Sequence, residues 1–229
     1  MIVAKTEEQN SMIHTWINKT SENKLILFFN GLGMDEKTLC NFNHKGFDVC
    51  MFYNYNELTS IKDSFKEYDE IYVIAWSMGV WAAEQCLRNS KINITKSIAI
   101  NGTSIPIDSD YGIDKKIFEG TALNWNDRNR MKFMMRIFAS TSLYKKYFSC
   151  LPDRNTDEQK NELLVLLDKA MKENISHYPW DTAICGKQDL IFNYQNQINY
   201  WTGKANIISC DIPHYPFINS KNWNEIVSL

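Results

Sequence analysis

A single serine ends an apolar run at a point where it could act as a nucleophile. Residues 71–79 read Ile-Tyr-Val-Ile-Ala-Trp-Ser-Met-Gly, with small residues two positions before and two after Ser77. The apolar run predicts a buried strand and the stretch from Gly79 to Leu87 a helix, so Ser77 falls on the turn between them, as in a nucleophile elbow. Such a turn strains the serine backbone, and bulky flanking side chains would clash. Ala75 and Gly79 meet this requirement, although the usual pattern has glycine at both positions. An ordinary strand-to-helix turn that carries serine is the alternative reading of this stretch alone.

A nucleophilic serine needs a base, and the base needs a group that orients it. In an α/β-hydrolase the three occur in the order Ser, Asp or Glu, His. After Ser77 the chain has two histidines, His177 and His214. His214 lies in Cys210-Asp211-Ile212-Pro213-His214-Tyr215-Pro216-Phe217, directly after an apolar stretch, as in a loop leaving a late strand. Asp189 lies in Cys185-Gly186-Lys187-Gln188-Asp189, just after a strand-like run. Both should project from the carboxyl ends of neighbouring parallel strands, where such sheets carry their sites. Asp211 sits three residues from His214 and would need a sharp loop to reach the far imidazole nitrogen. Asp181 precedes its strand and points to the opposite end of the sheet. Ser77, Asp189 and His214 are therefore the catalytic candidates.

The elements that must position them alternate. Strands are predicted at residues 12–17, 25–29, 49–53, 71–76, 97–101, 182–185 and 206–210, and a helix at 194–201. Most are short apolar runs separated by helical patterns, as in a parallel sheet covered on both faces. The first is expected to be an antiparallel edge strand. Between Asn101 and Trp180 no strand pattern occurs, and residues 117–148 and 157–174 look helical. Leu163, Leu164, Leu166, Leu167, Ala170 and Met171 give the second an i, i+3, i+4 face. The expected architecture is an α/β-hydrolase fold, a mostly parallel sheet with helices on both faces. Residues 1–103 and 179–229 would form the core, and 104–178 a helical cap inserted in it.

Composition fits one enzyme-sized domain. The 229 residues are 44% hydrophobic, which excludes a disordered class, and the net charge of −2 gives no global attraction to nucleic acid. Residues 1–10 are mixed polar without an apolar h-region, so no secretory signal is expected. No apolar run reaches the length of a membrane span. The six cysteines (Cys40, Cys50, Cys86, Cys150, Cys185, Cys210) form no C-x-x-C pair and read as buried reduced thiols of a cytoplasmic protein. His14, His44, His177 and His214 fall in no metal-ligand spacing.

Phe28-Phe29-Asn30-Gly31-Leu32-Gly33 follows an apolar strand. In this fold the corresponding loop supplies one oxyanion-hole N–H, and the residue after the nucleophile the other. Those would be Leu32 and Met78. The third glycine of a dinucleotide fingerprint is absent, and no P-loop occurs.

The chain resembles the BioG-type pimeloyl-[acyl-carrier protein] methyl ester esterases. The resemblance rests on Leu27-Phe28-Phe29-Asn30-Gly31-Leu32-Gly33-Met34-Asp35, Ala75-Trp76-Ser77-Met78-Gly79-Val80-Trp81-Ala82-Ala83 and Ile100-Asn101-Gly102-Thr103 followed by Pro106. Gly186-Lys187-Gln188-Asp189-Leu190-Ile191-Phe192 with Asn196-Gln197, and Pro213-His214-Tyr215-Pro216-Phe217, complete it. It implies Ser77 as nucleophile, His214 as base, Asp189 as orienting acid, no cofactor, and pimeloyl-acyl carrier protein methyl ester as substrate. The family usually has a bulkier aromatic at Leu32 and a small residue at Asn30, both expected on the oxyanion side.

The predicted cap carries a local charge asymmetry. Arg128, Arg130, Lys132, Arg136, Lys145 and Lys146 lie in a stretch with no acidic residue. A phosphopantetheine arm bears a phosphate and acyl carrier proteins are acidic, so Arg128, Arg130, Lys132 and Arg136 are candidate carrier contacts, with Trp76 a candidate substrate contact. Arg136 also matches an arginine of the resembled family's cap. A solvated helix face is the alternative. No nucleic-acid motif accompanies the bases. From the residues alone the reaction is hydrolysis of an ester or thioester. A general carboxylesterase or thioesterase, or an idle hydrolase fold used as a binding module, remain alternatives.

Overall fold

The computed structural model describes residues 11–61, 65–172 and 178–229. The expectations for residues 1–10, for His177 and for the end of the helix at residue 174 lie outside the described residues. Seven strands form one sheet: β1 (Ile13–Asn18), β2 (Lys24–Phe29), β3 (Asp48–Tyr53), β4 (Glu70–Trp76), β5 (Lys96–Ile100), β6 (Thr182–Gly186) and β7 (Asn206–Cys210). Their order is β1-β3-β2-β4-β5-β6-β7, with β1 antiparallel to β3 and every other pair parallel. This is the α/β-hydrolase fold.

The apolar runs explain the layers. Successive residues of a strand face opposite sides. Leu25, Leu27 and Phe29 of β2, with Val73 and Ala75 of β4, join one core cluster. Ile26, Phe28, Ile74 and Trp76 join another. Both faces are covered, so the central strands show no polar alternation. The first face receives α1 (Met78–Leu87) and α6 (Tyr194–Trp201) through Val80, Trp81, Tyr200 and Trp201. The second receives α7 (Trp223–Val227) through Trp223 and Ile226. The indole N–H of Trp223 donates to Nδ1 of His44 at 3.0 Å, which gives that histidine a structural role.

Among the described residues four α-helices lie between β5 and β6: α2 (Lys115–Leu123), α3 (Asp127–Ile137), α4 (Thr141–Lys146) and α5 (Thr156–Lys172). The helical pattern over 117–148 is thus broken rather than continuous. Asn126 and Ser140 act as N-caps, accepting from the N–H groups of Asn129 and Leu143, and Ala139 takes φ 54°.

The cysteine expectation needs correction. Cys40 and Cys150 form a disulfide between the loop after β2 and the segment after α4. Their separation of 110 residues left no local signal in the sequence. The other four are free thiols, and burial pushes Cys50 and Cys185 up to about 12, far from a useful thiolate.

Glu84 on α1 is buried at the base of this helical segment. It accepts from the Ser104 hydroxyl and, at 2.7 Å, from the Trp180 indole, one at each stem of the segment. Burial raises its carboxyl to about 7 from 4.5. The folded form then holds a proton that the unfolded chain has released, so this contribution is full below about pH 4.5 and is lost as pH rises toward 7. Melting temperature should therefore fall across that window, by the equivalent of up to about 3 kcal/mol. The fall should be largely absent in Glu84→Gln; an unchanged slope would exclude Glu84 as its source.

Candidate active site

Ser77 follows β4 directly and precedes α1. Its φ of 60° and ψ of −128° lie where a non-glycine residue stays only if its surroundings enforce it. Those surroundings are backbone. The Ser77 N–H donates to the Ile100 carbonyl at 2.9 Å, and the Val80 N–H to the Ser77 carbonyl at 3.1 Å. A Cβ on Gly79 would lie 2.3 Å from the Phe29 carbonyl oxygen, and one on Gly102 2.3 Å from that of Ser77. Gly102 was not apparent from the elbow pattern because it reaches Ser77 from the end of the neighbouring strand, β5.

The structure brings the three candidates together. Nε2 of His214 lies 3.0 Å from Oγ of Ser77, and Nδ1 lies 2.8 Å from Oδ2 of Asp189. All three residues are buried. Asp189 Oδ1 accepts from the N–H groups of Ile191 (2.7 Å) and Phe192 (2.9 Å), and Oδ2 also accepts from Nε2 of Gln197 at 3.3 Å. The carboxylate is thus fixed by backbone on one oxygen and offers the other to the imidazole. Phe192 stacks on His214 with ring centroids 6.0 Å apart. The rejected acids lie elsewhere. Asp181 accepts from the Ser97 N–H and hydroxyl at the amino end of β5, and exposed Asp211 accepts from Gln188.

Two supporting residues carry functions that their patterns did not suggest. Asn101, with φ 47°, donates from Nδ2 to the carbonyls of Pro213 and His214 at 2.8 and 2.9 Å. Its Oδ1 accepts from the Gly186 N–H at 2.7 Å, so one amide ties the ends of β5, β6 and the His214 loop. Trp76 is a correction: it is fully buried and does not line the pocket. Its indole donates to the His214 carbonyl at 2.8 Å, beneath the site, since β4 turns Trp76 to the face opposite α1.

Leu32 and Met78 line the pocket beside Ser77, with Ile117, Phe133 and Arg136. Among the described residues the Leu32 N–H meets no protein acceptor, and Met78, as the first residue of α1, has no intrahelical acceptor. Asn30 does not sit on the oxyanion side. Its side chain turns into the core, where Nδ2 donates to the Asp35 carbonyl at 2.8 Å and Oδ1 accepts from the Gly31 N–H at 2.9 Å.

The basic residues of α3 divide. Arg128, Lys132 and Arg136 follow one another at i, i+4 and share an exposed face. Arg136 also donates to the Leu190 carbonyl at 2.7 Å. Arg130 points elsewhere, donating to the Pro152 carbonyl at 2.8 Å, so the four do not make one surface.

A serine hydroxyl bonded to an imidazole, itself bonded to a buried carboxylate and flanked by unclaimed N–H groups, is suited to acyl transfer. Comparison with known proteins agrees. The family described as "Pimeloyl-ACP methyl esterase BioG" matches residues 12–226. The crystal structure of BioG from Haemophilus influenzae superposes with a TM-score of 0.86 at 30% identity, covering 93% of this chain and 98% of that one. The esterase EaEST from Exiguobacterium antarcticum shares the fold at TM-score 0.68 and 13% identity, over 95% and 92% of the two chains. A Bacteroides fragilis (strain 638R) protein named malonyl-[acyl-carrier protein] O-methyltransferase is 39% identical over 191 residues, 83% of this chain, which spans only 39% of that protein's length. The chain belongs to the BioG family of pimeloyl-ACP methyl esterases, esterases built on the α/β-hydrolase fold.

Proposed function

We propose that the protein hydrolyses the terminal methyl ester of pimeloyl-acyl carrier protein, in biotin synthesis in the cytoplasm, releasing methanol and the free carrier-bound acid. The hydrogen-bonded chain Ser77–His214–Asp189 carries this reading. His214 takes the hydroxyl proton through Nε2 as Ser77 attacks the ester carbonyl, while Asp189 holds Nδ1–H and steadies the imidazolium. The oxyanion is received by the Leu32 and Met78 N–H groups. Methanol leaves with the proton from His214, and water enters by the same steps to release the acid.

The substrate class rests on the family and on one relative. The Bacteroides fragilis protein contains a segment like this chain and is named for placing a methyl group on a carrier-bound acid. An esterase joined to such an activity would remove that type of ester. Residues 104–178 would form the cap over Ser77, with Ile117 and Phe133 contacting the acyl chain. Carrier recognition falls to the α3 face of Arg128, Lys132 and Arg136. Rescue of a biotin-requiring strain that lacks its own methyl esterase tests the assignment. No rescue, with good turnover of short nitrophenyl esters, would point to a general carboxylesterase.

Neutralising Arg128 and Lys132 together should lower kcat/KM for the carrier-linked ester at least tenfold at low salt. A nitrophenyl ester should hardly respond. Exposed charges act on encounter, not on the acyl-transfer barrier. The difference should shrink above about 0.15 M salt, where the screening length is roughly 8 Å. Equal losses on both substrates across a salt series would assign these residues to packing.

A further inference from the structure

The loop that carries Leu32 is held from above by α5. Gly33, at φ +69°, donates its N–H to Oε2 of Glu162 at 3.2 Å and receives Nε2 of Gln159 on its carbonyl at 2.7 Å. Oε1 of Glu162 accepts from the Tyr55 N–H at 2.9 Å, and the Tyr55 hydroxyl donates to the Asn30 carbonyl at 2.7 Å. Arg154 donates to Oε2 of Glu162 at 2.6 Å and to Oδ1 of Asn54 at 3.2 Å. Gln159, Glu162 and Tyr55 are fully buried, and Arg154 is 9% exposed.

This arrangement selects which amide can serve the reaction. Gly33 is held on both sides: the N–H of the Leu32–Gly33 peptide turns to Glu162 and the carbonyl of the following peptide receives Gln159, so the Gly33 N–H is unavailable to an oxyanion. The Leu32 N–H is left free, on a residue that lines the Ser77 pocket. A buried carboxylate close to a developing oxyanion would oppose catalysis by like-charge repulsion. The guanidinium of Arg154 on the same oxygen cancels that charge while leaving Glu162 able to accept.

We propose that Gln159, Glu162 and Arg154 are positioning residues for the oxyanion hole. Through them α5 and the residue two before it set the direction of the Leu32 amide, and so govern the chemical step. The inference rests on the serine-esterase reading above. None of the three takes or gives a proton in the reaction.

Gln159→Met tests it in the full-length chain, since methionine keeps the side-chain length and lacks the donor to the Gly33 carbonyl. On a nitrophenyl ester, kcat should fall ten- to a hundredfold with KM within about twofold, because only the tetrahedral state uses the amide fully. Affinity for an alkylboronic acid, whose Ser77 adduct places an oxygen in the hole, should fall by a similar factor. Affinity for the matching uncharged methyl ketone should not change. Arg154→Lys, which keeps the charge and loses the fork, should show a smaller fall of the same pattern. Unchanged kcat, or boronate and ketone affinities falling in step with the melting temperature, would overturn the proposal and leave the cluster a role in folding alone. If wild type turns the ester over and Ser77→Ala does not, such a result counts against the clamp alone. Turnover that survives Ser77→Ala would remove the esterase reading and the clamp together.

Discussion

Ser77→Ala should lower ester hydrolysis by on the order of a thousandfold or more while leaving the fold intact. Among the described residues the hydroxyl bonds to His214 alone, whereas the elbow is held by backbone contacts that alanine retains. Alanine meets the same strained φ as serine, so the conformational cost is unchanged. Initial rates, near-ultraviolet circular dichroism and labelling by a fluorophosphonate check it. The wild type should be labelled at Ser77 and the variant not at all. Turnover near wild type would dismiss the serine and leave a thiol as nucleophile. The cysteines are poor substitutes, since burial raises Cys50, Cys185 and Cys210 away from the thiolate form.

Asp189→Asn should cost roughly a thousand- to ten-thousandfold in kcat. The direction follows from the four donors around the carboxylate. Two backbone N–H groups face Oδ1, so an asparagine would keep its oxygen there. Its NH2 would then face Nδ1 of His214, forcing the proton to Nε2, where the ring can no longer accept from Ser77. Gln197 resists this orientation only weakly: its bond to Oδ2 is long, at 3.3 Å, and its Nε2 can keep the 2.9 Å bond to the Phe192 carbonyl without it. Asp211→Asn should change turnover only a few-fold, because that carboxylate is exposed and holds Gln188. Kinetics of the two variants under one protocol suffice, and the reverse ranking would transfer the orienting role to Asp211.

The fold was legible wherever short apolar runs met turn residues. All seven strands lie close to where the sequence places them, and β1 is antiparallel as expected; β2 to β6 are runs buried on both faces, which leave the strongest pattern. The grouping of Ser77, Asp189 and His214 was legible because strand ends place side chains predictably. The supports were not. Asn101 and Trp76 act through contacts with the His214 loop that no spacing encodes. The Cys40–Cys150 bond joins two turns far apart in the chain. The break of the long helical pattern was written in Asn126 and Ser140, two good cap residues, but apolar periodicity on either side concealed it. Five-residue α7 is too short for periodicity to register.

The buried cluster of Arg154, Gln159 and Glu162 also bears on how such an enzyme can change in descent. A segment attached only by its two stems could be exchanged for another, giving a new specificity in one step. Here α5 supplies the acceptors for the Gly33 and Tyr55 N–H groups and the donor for the Gly33 carbonyl. A foreign segment would leave those groups buried and unpaired, at about 1–3 kcal/mol each. The helical segment and the sheet must therefore have diversified together. New specificities would arise by substitution at Ile117 or Phe133, which line the pocket and belong to no such network, and not by transplanting the whole segment.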